Sequence, residues 1–425
     1  MPVSRAAGQV LVSPIVSPIV SSIVASIVAL LASGCAPAAQ VERESDYLYL
    51  WVASTDTTAP DFLATVDVTT GGARYGQVVA TLPVPGRRNV PHHTEHQLAP
   101  DRQLFANGFG SGRTFIFDLS RPDSARIAGD FTDLAGYMHP HSFILMPNGN
   151  RLGTFQMRHE GNEMTPGGLV EITPAGQMVR ASAPQPDAID PATRVYSGAV
   201  VEALDRIVTT TTDMDGDAPA SRQVQIWRLS DLALLHTIVL PDGPTGGESM
   251  YTAEPRLLDD GRTVLVSTFN CGLYLLSGIE TDAPAGKLVA SFPRKAEQNC
   301  AIPVVRGHHY LVTVPAYSGV VSLDISDPSK PREVGRVTFD STDVPHWISM
   351  APDGRRVVVT GYGAMRHRVE LVHFDSTTGA LTRDTLFRDA GATTSGVRMD
   401  NKSWPHGGTA AGVPHGAVFA RPGTP

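Results

Sequence analysis

The sequence predicts an all-β chain folded as a seven-bladed β-propeller, and three observations carry that prediction. Glycine and proline are plentiful, 40 and 33 of 425 residues, strand-forming residues lie between them, and no long stretch keeps a helical period. One plan recurs roughly every 45 residues: a polar or histidine-bearing start, a short apolar strand, a turn, a β-branched strand, another turn, and a strand ending near Asp. Its starts fall near 47, 92, 140, 197, 251, 298 and 345. Seven such units of four short strands close into a propeller. A sandwich or barrel could use similar hairpins, but not so regular a unit.

Residues 1–35 come before the repeat. Arg5 precedes an uncharged apolar run, "VLVSPIVSPIVSSIVASIVALLASGC", that ends in small residues and a cysteine, the order of a secretory signal. "LASGC" resembles a lipobox, which implies lipid attachment at Cys35, a tether over 36–46, and an exported periplasmic or cell-envelope lipoprotein. A plain cleaved signal and a retained membrane helix are the other readings. Beyond Cys35 only Cys271 and Cys300 remain. An exported compartment permits them to pair, and two free buried thiols fit equally well. Net charge is −8, and no basic stripe interleaves with aromatics, which argues against a nucleic-acid partner.

The propeller is expected over 47–390. Its turns, "PNG" at 147–149, "DDG" at 259–261 and "PDG" at 352–354, place Gly where positive φ is needed, with Pro or Asp setting up the turn. The units near 197 and 298 follow the plan with degenerate turns. Residues 391–425 form a Gly/Ala-rich tail with two Pro-His pairs, expected to return toward the channel mouth.

Equivalent positions of the inner strands form a ring around a propeller's axis. His141 lies six residues before Pro147, and His346 lies six before Pro352; the same count from Pro100 lands on Thr94, inside "HHTEH" at 92–96. His92, His93, His141 and His346 are therefore expected at one end of the channel, either as metal ligands or as hydrogen-bonded structural histidines. The tail can add His406 or His415. Glu95 and Glu254 reach the same end as candidate catalytic carboxylates, able to bind metal or to orient a histidine N–H. Three or four neutral imidazoles suit zinc, copper, iron or nickel. His159, His236, His308, His309, His367 and His373 lie later in their units, and His96 is expected within its strand, facing the blade. HExxH, CxxC, GxSxG and phosphate-binding glycine loops are absent, and "DMDGD" at 213–217 is an incomplete calcium loop.

Taken in order, "HHTEH", "HPHSFILMPNGN", "QVQIWRLSDLALLHTIVLPDG" with "YTAEPRLL", "GVVSLDISDPSKPREVGRV" and "SMAPDGRRVVVTGYG" resemble the selenium-binding proteins, a family that includes methanethiol oxidases. The resemblance covers most of 90–365 and rests on shared order, since no single phrase is specific. It implies a copper-dependent oxidase of a small thiol, yielding aldehyde, sulfide and peroxide. By position it carries the family's His-His pair onto His92 and His93, its strand histidine onto His141, and its C-terminal histidine onto His415. The family's selenium-linked cysteine stretch has no counterpart here. The expected function is a metal-dependent oxidase of a small sulfur-containing molecule, with copper favoured over zinc or iron and His92, His93, His141, His346 and His415 as ligands. The alternative is a non-catalytic, lipid-anchored propeller that binds or scaffolds other envelope components. A lactonase- or lyase-type hydrolase would need more channel carboxylates than Glu95 and Glu254.

Overall fold

The structure is a computed structural model that describes residues 46–121, 123–183, 193–214, 220–295, 298–400 and 402–420. The signal-like segment, Cys35 and the tether up to residue 45 lie outside these residues, as does most of the acidic stretch at 213–217.

Seven antiparallel sheets follow one another around an axis. Blades 2 to 7 run from inside to outside in chain order, with inner strands Pro91–Thr94, Tyr137–Leu145, Val195–Val201, Thr252–Leu257, Pro303–Arg306 and Asp343–Met350. Blade 1 is built differently. Its inner strand is Gly412–Phe419, from the end of the chain, paired antiparallel with Tyr47–Ser54 so that Leu48 meets Phe419 and Ser54 meets Gly412. The described helical segments are short 3-10 turns at Glu202–Leu204, Pro315–Tyr317 and Ala364–His367.

The sequence pattern explains the layering. Middle strands such as Arg113–Asp118 bury both faces between neighbouring blades; Trp51 meets Phe115 and Phe117 edge-on at 5.6 Å across the blade 1–2 interface. Outer strands such as Arg126–Phe131 alternate exposed and half-buried residues, as expected of strands wetted on one side. Cys271 and Cys300 form a disulfide that joins the turn after blade 5's second strand to the approach to blade 6.

One irregularity repeats at the start of the inner strands. In blade 2, Pro91 pairs with Gly108 but Thr94 pairs with Ala106, so the inner strand carries one extra residue. Blade 3 does the same between Pro140 and Phe143, blade 4 between Val195 and Gly198, and blade 5 between Thr252 and Pro255. Blade 7 follows between Pro345 and Trp347, and the closing strand between Pro414 and Ala417. A β-bulge turns side chains away from strict alternation, and a proline at its first position gives up an N–H that a regular ladder would use.

The second strand braces each bulge. Asn107 accepts from the His93 N–H at 2.6 Å and donates to the Pro140 and His141 carbonyls of the next blade at 2.8 and 3.0 Å. Thr154 repeats this, accepting from Ser142 N at 3.0 Å and donating to the Tyr196 carbonyl at 2.6 Å. Thr360 donates to the His415 carbonyl at 2.7 Å. These side chains are buried, so the ring of bulges is tied from blade to blade by satisfied bonds.

Candidate metal centre

The ladder aligns four Pro-His pairs: Pro91-His92, Pro140-His141, Pro345-His346 and Pro414-His415. Tyr196 takes the same place in blade 4. Counting back from the turn matches His141 with Thr94, whereas the ladder matches it with His92; blade 2 holds two more residues between histidine and turn. In the blade 2 bulge His92 and His93 together stand opposite the single residue Asn107. In a regular strand His92 and His93 would face opposite ways, and the bulge lets both rings enter the channel. At the closing strand the residue after the histidine is Gly416. A Cβ there would lie 2.8 Å from Thr94 N and 2.9 Å from the His92 carbonyl, so glycine lets the two inner strands approach.

Five imidazoles gather at this level. His92 and His93 stack at 4.1 Å between ring centroids, His93 meets His141 at 4.3 Å, and His92 meets His415 at 4.4 Å and His141 at 5.1 Å. His346 joins through His415 at 5.0 Å. His92, His93 and His415 offer ligand nitrogens within 4.8 Å of one another. His92 Nδ1, His93 Nε2, His141 Nε2 and His415 Nε2 are buried without a hydrogen-bond partner. Four orphaned nitrogens in one cluster are costly in a buried interior, and an ion shared by His92, His93 and His415 would relieve that cost for those three, while His141 and His346 fall outside the group of mutually close nitrogens. The set therefore fits a transition metal with imidazole ligands.

Protonation favours the same use. Burial, with repulsion from neighbouring imidazoles, holds His92, His93 and His415 well below the ordinary imidazole range. Burial likewise lowers His141 to about 3 and His346 to about 4. All five rings are neutral at pH 7, and each keeps a lone pair. For His141 the free nitrogen is fixed: Nδ1 lies 2.9 Å from the Tyr196 carbonyl, which can only accept, so Nδ1 carries the proton and Nε2 the lone pair.

The remaining predicted positions fall elsewhere. Glu95 is buried beyond the inner strand, accepting from Arg151 Nε at 3.1 Å and from the Phe105 N–H at 3.0 Å; burial raises its pKa to about 7 against the pull of Arg151. Glu254 accepts from Ser197 Oγ at 2.7 Å and from Arg256 at 2.6 Å. Arg256 in turn reaches His96 Nε2 at 2.9 Å. His96 lies past strand Pro91–Thr94, not within it as expected, and stacks on Trp347 at 4.4 Å. His406 packs on Phe62 at 4.9 Å and bonds Thr81 Oγ1 at 2.7 Å in blade 1, away from the cluster.

Two cavities flank this level. The mouth cavity, about 700 Å³, is lined by His92, Tyr196, Met214, Phe269, His346 and Tyr362, among others. The other, about 450 Å³, is lined by residues further along the same inner strands, with Glu95, His96 and Arg256. Trp347, fully buried, touches both levels, edge-on to His93 at 4.8 Å and stacked on His96. Tyr196, Trp347 and Tyr362 were not singled out from the sequence. Tyr196 could have been, as the blade 4 counterpart of the Pro-His position, but the degenerate turn of its unit gives no anchor to count from.

No family model matches the chain. Among curated proteins, a methanethiol oxidase from Hyphomicrobium sp is 24% identical over 348 residues, covering 76% of this chain and 77% of that protein. A methanethiol oxidase from Ruegeria pomeroyi is 30% identical over 151 residues, 33% of each chain. Among solved structures, a hypothetical selenium-binding protein from Sulfolobus tokodaii aligns with a TM-score of 0.69 at 17% identity, covering 89% of this chain and 94% of that one. A periplasmic gluconolactonase from Pseudomonas aeruginosa aligns at 0.61 and 14% identity, over 89% and 100%. The structural likenesses speak to the fold alone. The resemblance read from the sequence holds: the chain is similar to the methanethiol oxidases over most of its length.

Proposed function

We propose that this chain, a distant sequence relative of the methanethiol oxidases, is a metal-dependent oxidase of a small thiol, with copper as the metal. The observation that carries the reading is the cluster of neutral, buried imidazoles whose unpartnered nitrogens converge at the end of the channel. In this reading His92, His93 and His415 hold the ion, and His141 and His346 complete or guard its surroundings. When bound, copper would supply one-electron exchange with dioxygen and acidify a coordinating thiol.

The chain's own residues do the rest. Tyr196, Phe269 and Met214 give the mouth an apolar wall suited to an alkyl thiol. Trp347, packed against His93 and His96, separates the imidazoles from the second cavity. The overall reaction balances as thiol, dioxygen and water giving aldehyde, sulfide and peroxide: the thiol-bearing carbon loses two electrons, its C–S bond breaks, and dioxygen takes up the two electrons. Glu95, held by Arg151 and the Phe105 N–H, and Glu254, whose Oε2 accepts from Ser197 and Arg256, tie neighbouring blades together. We further propose an exported, Cys35-anchored location, which the Cys271–Cys300 disulfide supports because such bonds persist in oxidising compartments.

The test is metal analysis of protein expressed to the periplasm, followed by a thiol assay that follows dioxygen, sulfide and peroxide together. Stoichiometric copper with thiol-dependent peroxide is expected. Protein that takes up no transition metal sinks the proposal, and a metal-loaded protein inert to short alkanethiols rejects the substrate class.

A further inference from the structure

We infer that Tyr362 is a positioning residue for this centre: its hydroxyl oxygen holds His415 in the tautomer that leaves Nε2 free, and its own proton is presented to the occupant of the mouth. The inference rests on the metal-centre reading above.

Tyr362 stands near the end of blade 7's second strand, Arg356–Gly363, and lines the mouth cavity. Its Oη lies 3.1 Å from His415 Nδ1, and its ring meets His346 at 4.8 Å and His415 at 5.6 Å. The bond can run in two directions. If the phenol donates, Nδ1 is an acceptor, and the only proton of a neutral imidazole must sit on Nε2. That atom is buried without a partner, in a ring whose centroid is 4.4 Å from that of His92, so a proton there would take His415 out of the group of nitrogens placed to share an ion. If Nδ1 donates to Oη instead, Nε2 keeps its lone pair and joins the free nitrogens of His92 and His93.

The second arrangement is the one His141 is compelled to adopt by the Tyr196 carbonyl. A partner on the far nitrogen of a ligating histidine fixes its tautomer and ring orientation. His415 obtains that partner from a side chain of blade 7, while its own backbone carbonyl is held by Thr360 of the same strand. The strand thus holds His415 by both its backbone carbonyl and its ring. Once Oη has accepted from Nδ1, its own O–H remains, and Tyr362, 42% exposed as a residue and lining the mouth cavity, has that cavity to donate into. There it can donate to a sulfur or oxygen lone pair of a bound ligand.

The test compares the full chain with Tyr362→Phe, which keeps the ring and removes only the oxygen. Affinity for copper(II), with zinc(II) in parallel, is measured by competition with a chromophoric chelator. Independently, the metal-free proteins labelled with 15N histidine report the protonated nitrogen of His415. Wild type is expected to show His415 protonated at Nδ1. The variant is expected to lose that preference and to bind metal about 10- to 100-fold more weakly, as when other outer partners of a ligand are removed. Wild-type His415 protonated at Nε2, or a variant with unchanged tautomer and unchanged affinity, overturns the inference. If wild type binds neither metal, the metal-centre reading fails by itself, and the tautomer measurement still decides the role of Tyr362.

Discussion

Lowering the pH should destabilise the metal-free protein through the same imidazoles that make up the centre. His141 is fully buried, and burial lowers its pKa from 6.5 to about 3. Below pH 6.5 the unfolded chain takes up a proton at this residue, and the folded chain does not. His141's contribution is therefore complete above pH 6.5 and shrinks as the pH falls from 6.5 toward 3. Each pH unit in that window costs about 1.4 kcal/mol, so going from pH 7 to pH 5 removes about 2 kcal/mol at this one site. His92, His93, His346 and His415 shift in the same sense, so the wild-type loss exceeds the share of His141. A domain has only about 5–15 kcal/mol to lose. The assay is urea unfolding of chelator-treated wild type and His141→Gln at pH 7 and pH 5. The variant starts less stable but should lose about 2 kcal/mol less over that interval. Equal losses in the two proteins, or a wild type indifferent to pH, would refute the argument that these rings are held neutral by burial.

Three other outcomes are expected. Copper(II) at a hundredfold excess over its dissociation constant should raise wild-type stability at pH 7 by about 2.7 kcal/mol; the thermal shift should vanish in a His92→Ala, His415→Ala double variant, and its survival there would remove both from the ligand set. Cys271→Ser opens a bridge between residues 29 apart in sequence and should cost roughly 3–4 kcal/mol in chemical unfolding, with an unchanged midpoint meaning that the thiols are not paired. Asn107→Ala strands the buried His93 N–H and two carbonyls of blade 3; it should cost about 1–3 kcal/mol and weaken copper binding, whereas a loss of stability alone would show that the brace does not orient the histidines.

The fold was legible because a propeller writes its period into its turns. "PNG", "DDG" and "PDG" mark equal places in the third, fifth and seventh units, and the apolar strands between them need no other partner. The gathering of His92, His93, His141 and His346 at one level was legible for the same reason, since equal places in a closed ring must meet. Single-residue register was not. A bulge is a property of two paired strands, and counting along one of them matched His141 with Thr94 where the ladder matches it with His92. The surroundings of Glu95 were hidden too, because Arg151 lies 56 residues away along the chain and meets it only across a blade interface. Trp347 follows a histidine and reads as strand core; only the assembled channel shows its ring against both His93 and His96.

The strand Gly412–Phe419 also sets an order of events during synthesis. It pairs with Tyr47–Ser54, so the first blade waits for nearly the whole chain before its inner edge is covered, a long-range pairing of the kind that folds late. The same strand brings in His415. A nascent chain can collapse six blades and bring His92, His93 and His141 together, yet the three-imidazole set of His92, His93 and His415 is completed only when the ring closes. In the proposed centre, ion capture would thereby wait for ring closure: a chain that stops before Gly412 lacks the last imidazole and leaves the Tyr47–Ser54 edge uncovered.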